Sequence, residues 1–358
     1  MANNVSARSK IAIVATMRDI GPSIGSWVSY HAKMVDRLYI FLDGGDSKDF
    51  KSIPFSPKVH VFSGVDHSTM SGCNGVMERQ VGNVNRAMEV CKEDGIDWLF
   101  HIDSDELIWS PAENLADYFD RQPQEVSTIS FDNHEVLQTS DHVEDCFRQL
   151  HFFKRNSGAV PFKFYGNGKS AIRIERFAAA NGVHLFHTLS GTSKKENAVS
   201  ILHYPCPTYH DWLKKYERLG VFSSFWYENS RMPVGLQYHL DSRDAYQESL
   251  KTGDWKIAEE FYNKSLLTRD QIARWMKSDA IFFADPLASK VSHKTQEPAL
   301  INLINRLWVL TEDRHRLEAT AKTREPDLLN LLHRLRAYSA GRHRLQATAD
   351  ARFSHQVN

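Results

Sequence analysis

The chain predicts an α/β domain, a mostly parallel, Rossmann-like sheet with helices on both faces, followed by a C-terminal α-helical extension. Three observations lead there. Hydrophobic periods of about two and about 3.6 residues alternate through the first hundred residues, the pattern of βαβ units. Successive apolar runs end in acidic residues, at Asp19, Asp43 and Asp103 with Asp105. Near the C-terminus a 28-residue segment occurs twice, with apolar residues at amphipathic-helix spacing.

The elements follow in order. Residues 11–16 (IAIVAT) form a continuous apolar strand, and RDIGPS breaks it. Ser23 is expected to cap a helix whose Ile24, Trp27, Val28 and Val35 share one face. Residues 37–43 make a second strand, GGDSKD a turn, and residues 58–64 a third strand with alternating Val59 and Val61. A long helix over 76–93 leads to a fourth strand over 98–103. Right-handed crossovers between such strands place ligands beyond their carboxyl ends. From 125 to about 203 short extended segments follow (STISFD, FRQLHFFKR, KSAIRI, VSILHY), implying antiparallel strands that finish the sheet. Residues 209–220 and 254–277 read as helices.

Residues 295–321 (TQEPALINLINRLWVLTEDRHRLEATA) and 323–349 (TREPDLLNLLHRLRAYSAGRHRLQATA) are the two repeat copies, each with Pro at a first helical position. The organisation expected is a catalytic domain over 1–240, a helical connection over 241–297 and tandem amphipathic helices over 298–358. This last segment holds ten Lys+Arg and six Asp+Glu. Self-association and peripheral contact with an anionic membrane surface are the sharper readings of that basic excess; a solvated face on a packing helix pair is the plain one.

Composition narrows the function classes. With 358 residues, 42% hydrophobic and 25% charged, the chain can bury a large core. Its 44 Lys+Arg balance 44 Asp+Glu, which argues against a protein built to coat nucleic acid. The polar start MANNVSARSK and the six-residue run after it offer no signal peptide, and no stretch reaches the roughly 18 apolar residues of a membrane span. Cys73, Cys91, Cys146 and Cys206 show no C-x-x-C, so reduced thiols in a cytoplasmic setting are expected.

The strongest local signal is DWLFHIDSDEL at 97–107, where an apolar strand delivers carboxylates at 103 and 105 and a third directly after. Carboxylates this dense repel one another unless a cation lies among them, and hard oxygen ligands select Mg²⁺ or Mn²⁺, which keep waters and bind substrate phosphates. An acidic turn capping the next helix is the plain alternative.

Ordered blocks carry a family resemblance. IAIVATMRDIGPSIGSWVSYH, the strand ending at Asp43, HIDSDEL, GKSAIRI, GVHLFH and ILHYP together resemble glycosyltransferases of the GT-A fold, in particular the family-2-like and family-92-like enzymes, over residues 10–220 or so. Arg18-Asp19 stands where that family has Asn-Glu, and GGD follows Asp43 in place of N-x-S. The resemblance implies a metal-dependent, inverting transfer of a sugar from a nucleotide-diphosphate donor, with UDP the expected carrier, to a hydroxyl of a glycan or other acceptor. It implies Asp103 and Asp105 as holders of Mn²⁺ or Mg²⁺, with His184 of NGVH completing the coordination and His187 and His203 as further candidates. Thr16, Arg18, Asp19 and Asp43 would line the nucleotide pocket, although Asp43 also suits a turn. Arg79, Gln80 and Asn83 on the preceding helix are read as phosphate or ribose contacts, or as a surface face. Lys169 and Arg173 would meet phosphate oxygens or serve structure.

An inverting transfer needs a base for the acceptor proton, and Asp132 and Glu135 in SFDNHEV are the candidates. Two rival readings are carried: nucleotidyl transfer by the same carboxylates, for which RDIGPSIGS is a poor phosphate loop, and a non-catalytic carbohydrate- or partner-binding protein.

Overall fold

The computed structural model describes residues 8–287 apart from 19–20, 44–50, 65–71, 112–113, 140–143, 155–161, 226–236 and 279. Asp19 and both 28-residue repeats therefore lie outside the described residues.

Four strands are parallel in the order β3-β2-β1-β4: β1 (Ile11–Met17), β2 (Arg37–Leu42), β3 (Val59–Ser63) and β4 (Trp98–His101). β1, β2 and β4 are apolar on both faces because both faces are covered. Ile11, Ile13 and Ala15 pack with α1 (Ile24–His31), while Ala12 and Val14 pack with Val84, Ala87 and Met88 of α2 (Gly72–Asp94). Helices thus lie on both sides of the sheet, as the two periods required. β1 is flanked by β2 and β4, so the strand order reverses there, the point beyond whose carboxyl ends such sheets bind ligands.

Past β4 the sheet turns antiparallel. β5 (Glu106–Trp109) follows the acidic turn at once; α3 (Leu115–Asp120) and β6 (Val126–Val136) come next. β7 (His151–Phe153) and β8 (Lys169–Arg173) flank β6 antiparallel, and β8 also pairs with β4. β9 (Phe177–Asn181) and β10 (Leu185–Thr188) form a separate hairpin. β11 (Thr192–His203) runs parallel to β6 and antiparallel to β5, giving a ten-stranded sheet among the described residues. α4 (Tyr209–Leu219), α5 (Gln237–Thr252) and α6 (Lys256–Ser265) share an aromatic core around Trp212, Tyr216 and Tyr262. α7 (Arg269–Lys277) leads into β12 (Ile281–Phe283), which pairs with β7, so the segment expected to be a helical connection also adds a strand to the sheet edge.

Local expectations shift in three places. α1 ends at His31, and Val35 is buried beyond it rather than on it. Ser23 makes no side-chain cap; its Oγ accepts the Cys146 backbone N–H at 3.1 Å, tying α1 to a distant loop. α5 falls largely within the helical connection expected over 241–297, but it begins at Gln237, inside the expected catalytic domain.

No helix among the described residues is long and apolar enough to cross a membrane.

Candidate active site

The acidic turn is built from both sides. β4 delivers it at the carboxyl end of the parallel sheet, and β5 carries the chain away antiparallel to β11. One helix pins that second strand: Trp27 Nε1 donates to the Glu106 carbonyl at 2.9 Å, Tyr30 hydroxyl to the Ile108 carbonyl at 2.7 Å, and Ile108 N–H to His31 Nε2 at 3.3 Å. The W-x-x-Y-H block of α1 is therefore a clamp on the strand behind the acidic turn. Asp103 and Asp105 keep side chains 29% and 33% exposed there, while Glu106 is fully buried.

Lys169 enters from β8. Its side chain is wholly buried, and Nζ donates to Asp103 Oδ2 at 2.6 Å and to the Val183 carbonyl at 3.3 Å, with Glu106 Oε2 3.7 Å away. Gly168 makes this entry possible: its φ is +72°, and a Cβ would run into the Phe131 carbonyl. Burial alone would raise the Asp103 carboxyl, but the Lys169 ammonium outweighs it and holds the group below the usual carboxylate range. Glu106 moves the other way. Burial pushes it up to about 7, with Lys169 pulling it down and Asp103 pushing it up.

At the ends of β1 and β2, Asn83 Nδ2 donates to Thr16 Oγ1 at 3.0 Å, joining α2 to the end of β1. Arg79 grips Asp43 with two bonds, 2.5 and 3.2 Å, and Arg18 stands 3.9 Å from the same carboxylate. Gln80 Nε2 donates to Asp103 Oδ1 at 2.9 Å, so one helix reaches the ends of β1, β2 and β4. Thr16, Arg18, Asp43, Arg79, Asn83, Asp103 and Lys169 thus gather at one rim. Arg173 does not join them: its guanidinium stacks on Trp98 at 4.4 Å and donates to the carbonyls of Pro123 and Val126, a structural use.

Beyond the turn, the two carboxylates of β6 are separated by strand alternation. Asp132 Oδ1 lies 3.2 Å from Lys195 of β11. Glu135 accepts the backbone N–H groups of Lys163 at 2.9 Å and Phe164 at 3.2 Å, which anchors the loop that presents Tyr165. Burial raises the Glu135 carboxyl, partly offset by nearby His203 and those amides. The Tyr165 ring stands 4.8 Å from the His184 ring and 4.6 Å from the His203 ring. His203 Nε2 faces Asp105 Oδ2 at 3.7 Å, and His184 Nδ1 donates to the Gly168 carbonyl at 2.8 Å, leaving Nε2 as its lone-pair nitrogen. His187 is exposed on the separate hairpin.

This donor set suits a divalent ion at Asp105 better than at Asp103. Both Asp103 oxygens already accept from Lys169 and Gln80, whereas Asp105 is 33% exposed and faces His203 Nε2 at the longer distance of 3.7 Å. Among the described residues no three His, Cys, Asp or Glu side chains stand close enough to enclose an ion. An ion here would draw most of its ligands from water and a bound diphosphate, the habit of Mg²⁺.

No family model matches the chain. Two glycosyltransferase-like proteins of Arabidopsis thaliana do: one is 23% identical over 239 residues, 54% of this chain and 53% of that protein, and another is 25% identical over 224 residues, 53% and 44% respectively. The chain is similar to glycosyltransferase-like proteins. It spans about half the length of these curated relatives. A solved structure, 4-diphosphocytidyl-2C-methyl-D-erythritol synthase of Anaerococcus prevotii, shares 10% identity over 47% of this chain and 72% of that one, with a TM-score of 0.25, too low to bear on function.

Three residues are prominent at this site through geometry alone. Tyr165 lies in a segment with no periodicity, Glu106 reads only as a third acid, and Trp27 reads as an apolar face within a family block rather than as a hydrogen-bond donor. Each acts through a partner distant in sequence, by 59 residues for Tyr165 to Glu106 and 79 for Trp27 to Glu106.

Proposed function

We propose that the chain is a glycosyltransferase that takes its sugar from a nucleotide-diphosphate donor, UDP being the carrier, and passes it with inversion to a hydroxyl of a glycan or other acceptor. One observation carries this reading: two partly exposed carboxylates on a turn at the carboxyl end of a parallel strand, with the Asn83–Thr16 and Arg79–Asp43 pairs beside them at the ends of the two neighbouring strands. The similarity to glycosyltransferase-like proteins supports it.

In the reaction, the acceptor oxygen bonds to the anomeric carbon as that carbon's bond to the diphosphate breaks on the opposite face. Arg18, 41% exposed, supplies positive charge at the nucleotide rim, while Arg79 is committed to Asp43. Lys169, already spent on Asp103, fixes the turn rather than the ligand. Mn²⁺ or Mg²⁺ would be held by Asp105 with His203 beside it, and when bound would neutralise charge on the departing diphosphate. For the acceptor proton we assign Glu135, because burial raises its carboxyl, while Asp132 is paired to Lys195.

Titration of the protein with UDP and UDP-sugars in Mn²⁺, beside a panel of nucleoside triphosphates, tests the donor class. Binding of triphosphates alone would end the reading. Asp105→Ala is expected to abolish Mn²⁺-dependent UDP binding; unaltered binding would end the metal assignment. A base with a raised pKa makes kcat/KM rise with pH to a midpoint above the ordinary glutamate value of about 4.3. A profile flat from pH 4.5 to 7 would remove Glu135 from that role.

A further inference from the structure

Glu106 is buried completely, and its carboxylate meets its own turn, the loop before β8 and β8 itself. Oε2 accepts the Asp103 backbone N–H at 2.7 Å and faces Lys169 Nζ at 3.7 Å, and Oε1 accepts the Tyr165 hydroxyl. Its own carbonyl is held by Trp27. Each contact leads on to the exposed carboxylates. Lys169 grips Asp103, so that aspartate is restrained through both its backbone and its side chain. Tyr165 lies against the His184 and His203 rings, and His203 faces Asp105. Asp103 and Asp105 are therefore reached from one buried carboxylate by different routes. A buried ionic cluster contributes little net stability compared with apolar packing, so what this one supplies is a defined geometry.

We infer that Glu106 is the positioning residue of this centre: through the Asp103 amide and Lys169 it sets one carboxylate, and through Tyr165 and His203 it sets the other, in the arrangement that receives a diphosphate. The ligand named here rests on the proposed function; the positioning itself does not. Groups that orient ligand-holding residues from behind typically change affinity or activity by about 10- to 100-fold when altered.

The test uses the full-length chain, UDP with Mn²⁺, and calorimetry on wild type, Glu106→Gln, Tyr165→Phe and the double variant. Tyr165→Phe removes one hydroxyl and is the variant expected to fold without difficulty. It should weaken UDP binding about 3- to 10-fold, Glu106→Gln about tenfold or more, and the double variant no further than Glu106→Gln alone, because Tyr165 acts through Glu106. Either single variant binding UDP within twofold of wild type, or fully additive losses, overturns the inference. A lowered urea midpoint with unchanged affinity of the folded protein marks a structural role only and also overturns it. Long-range ¹⁵N–¹H spectra of the histidine rings give a ligand-free readout: the His203 signals should move in both single variants. If wild type binds no UDP while those signals move, the proposed donor fails and the positioning stands. Unmoved His203 signals refute the positioning whatever UDP does.

Discussion

Replacing Lys169 by Met isolates what the buried ammonium does. Methionine matches the length of the stem and removes the charge, leaving Asp103, 2.6 Å from the lost ammonium, and Glu106, 3.7 Å from it, without their cation. Removing one partner of a buried pair costs about 3–5 kcal/mol, because the survivor is a buried, uncompensated charge. Two features lower that figure here. Asp103 is 29% exposed and keeps its Gln80 bond, and Glu106, pushed up to about 7, can take a proton in place of the lost cation. A loss of about 3 kcal/mol at pH 7 is expected, a large part of the roughly 5–15 kcal/mol that holds a domain folded. The cost should shrink as pH falls from 7 to 5, as Glu106 becomes neutral. Urea denaturation of wild type, Lys169→Met, Asp103→Asn and the double variant measures it, and the double variant should recover at least half the loss, since no stranded charge remains at Asp103. A single-variant loss below about 1 kcal/mol, or a double variant that is worse by the full Asp103→Asn increment, would refute the ion-pair account.

Two further outcomes follow from the site's supports. His31 is fully buried with Nδ1–H donating to the Trp27 carbonyl and Nε2 accepting from Ile108, so protonation would set N–H against N–H; its pKa falls to about 3 through burial. The folded value lies below the unfolded one, so this group's contribution is whole above about pH 6.5 and is lost as pH falls toward 3, amounting to about 2 kcal/mol between pH 7 and 5. The stability gap between wild type and His31→Gln, from urea curves at both pH values, should narrow by that amount; a constant gap would contradict it. Gly168→Ala places a side chain at φ +72° against the Phe131 carbonyl and should destabilise by more than ~1 kcal/mol while weakening UDP binding through displaced Lys169. Wild-type melting and binding in that variant would show that the close approach is unimportant.

The parts of the fold that were legible share a cause. β1, β2 and β4 are apolar runs buried on both faces, and α2 repeats its apolar face over 23 residues, so local pattern and tertiary environment agree. β5 was not legible, because it is only four residues long and opens on Glu106, and its partner, the end of β11, lies some 95 residues on. The first half of β11, TSKKENA, is polar and exposed, and only pairing with β6 makes it a strand. Asp43 shows the same limit at the site. Its place at the end of β2 follows from the strand, but the two-bond grip of Arg79 depends on how α2 crosses that strand.

Sequence by itself determined the α/β class and the placing of Asp43, Asp103 and Asp105 just past the carboxyl ends of parallel strands, since these follow from hydrophobic period and from residues a few positions apart. Tertiary structure decided how the acids differ. Asp103 became a carboxylate tied to Lys169 and Gln80, Asp105 a partly exposed one facing His203, and Glu106 a buried hub. A carboxylate's charge and reach are set by burial and by groups within about 4 Å of it, and here those groups come from β8, α2 and β11, tens of residues away along the chain.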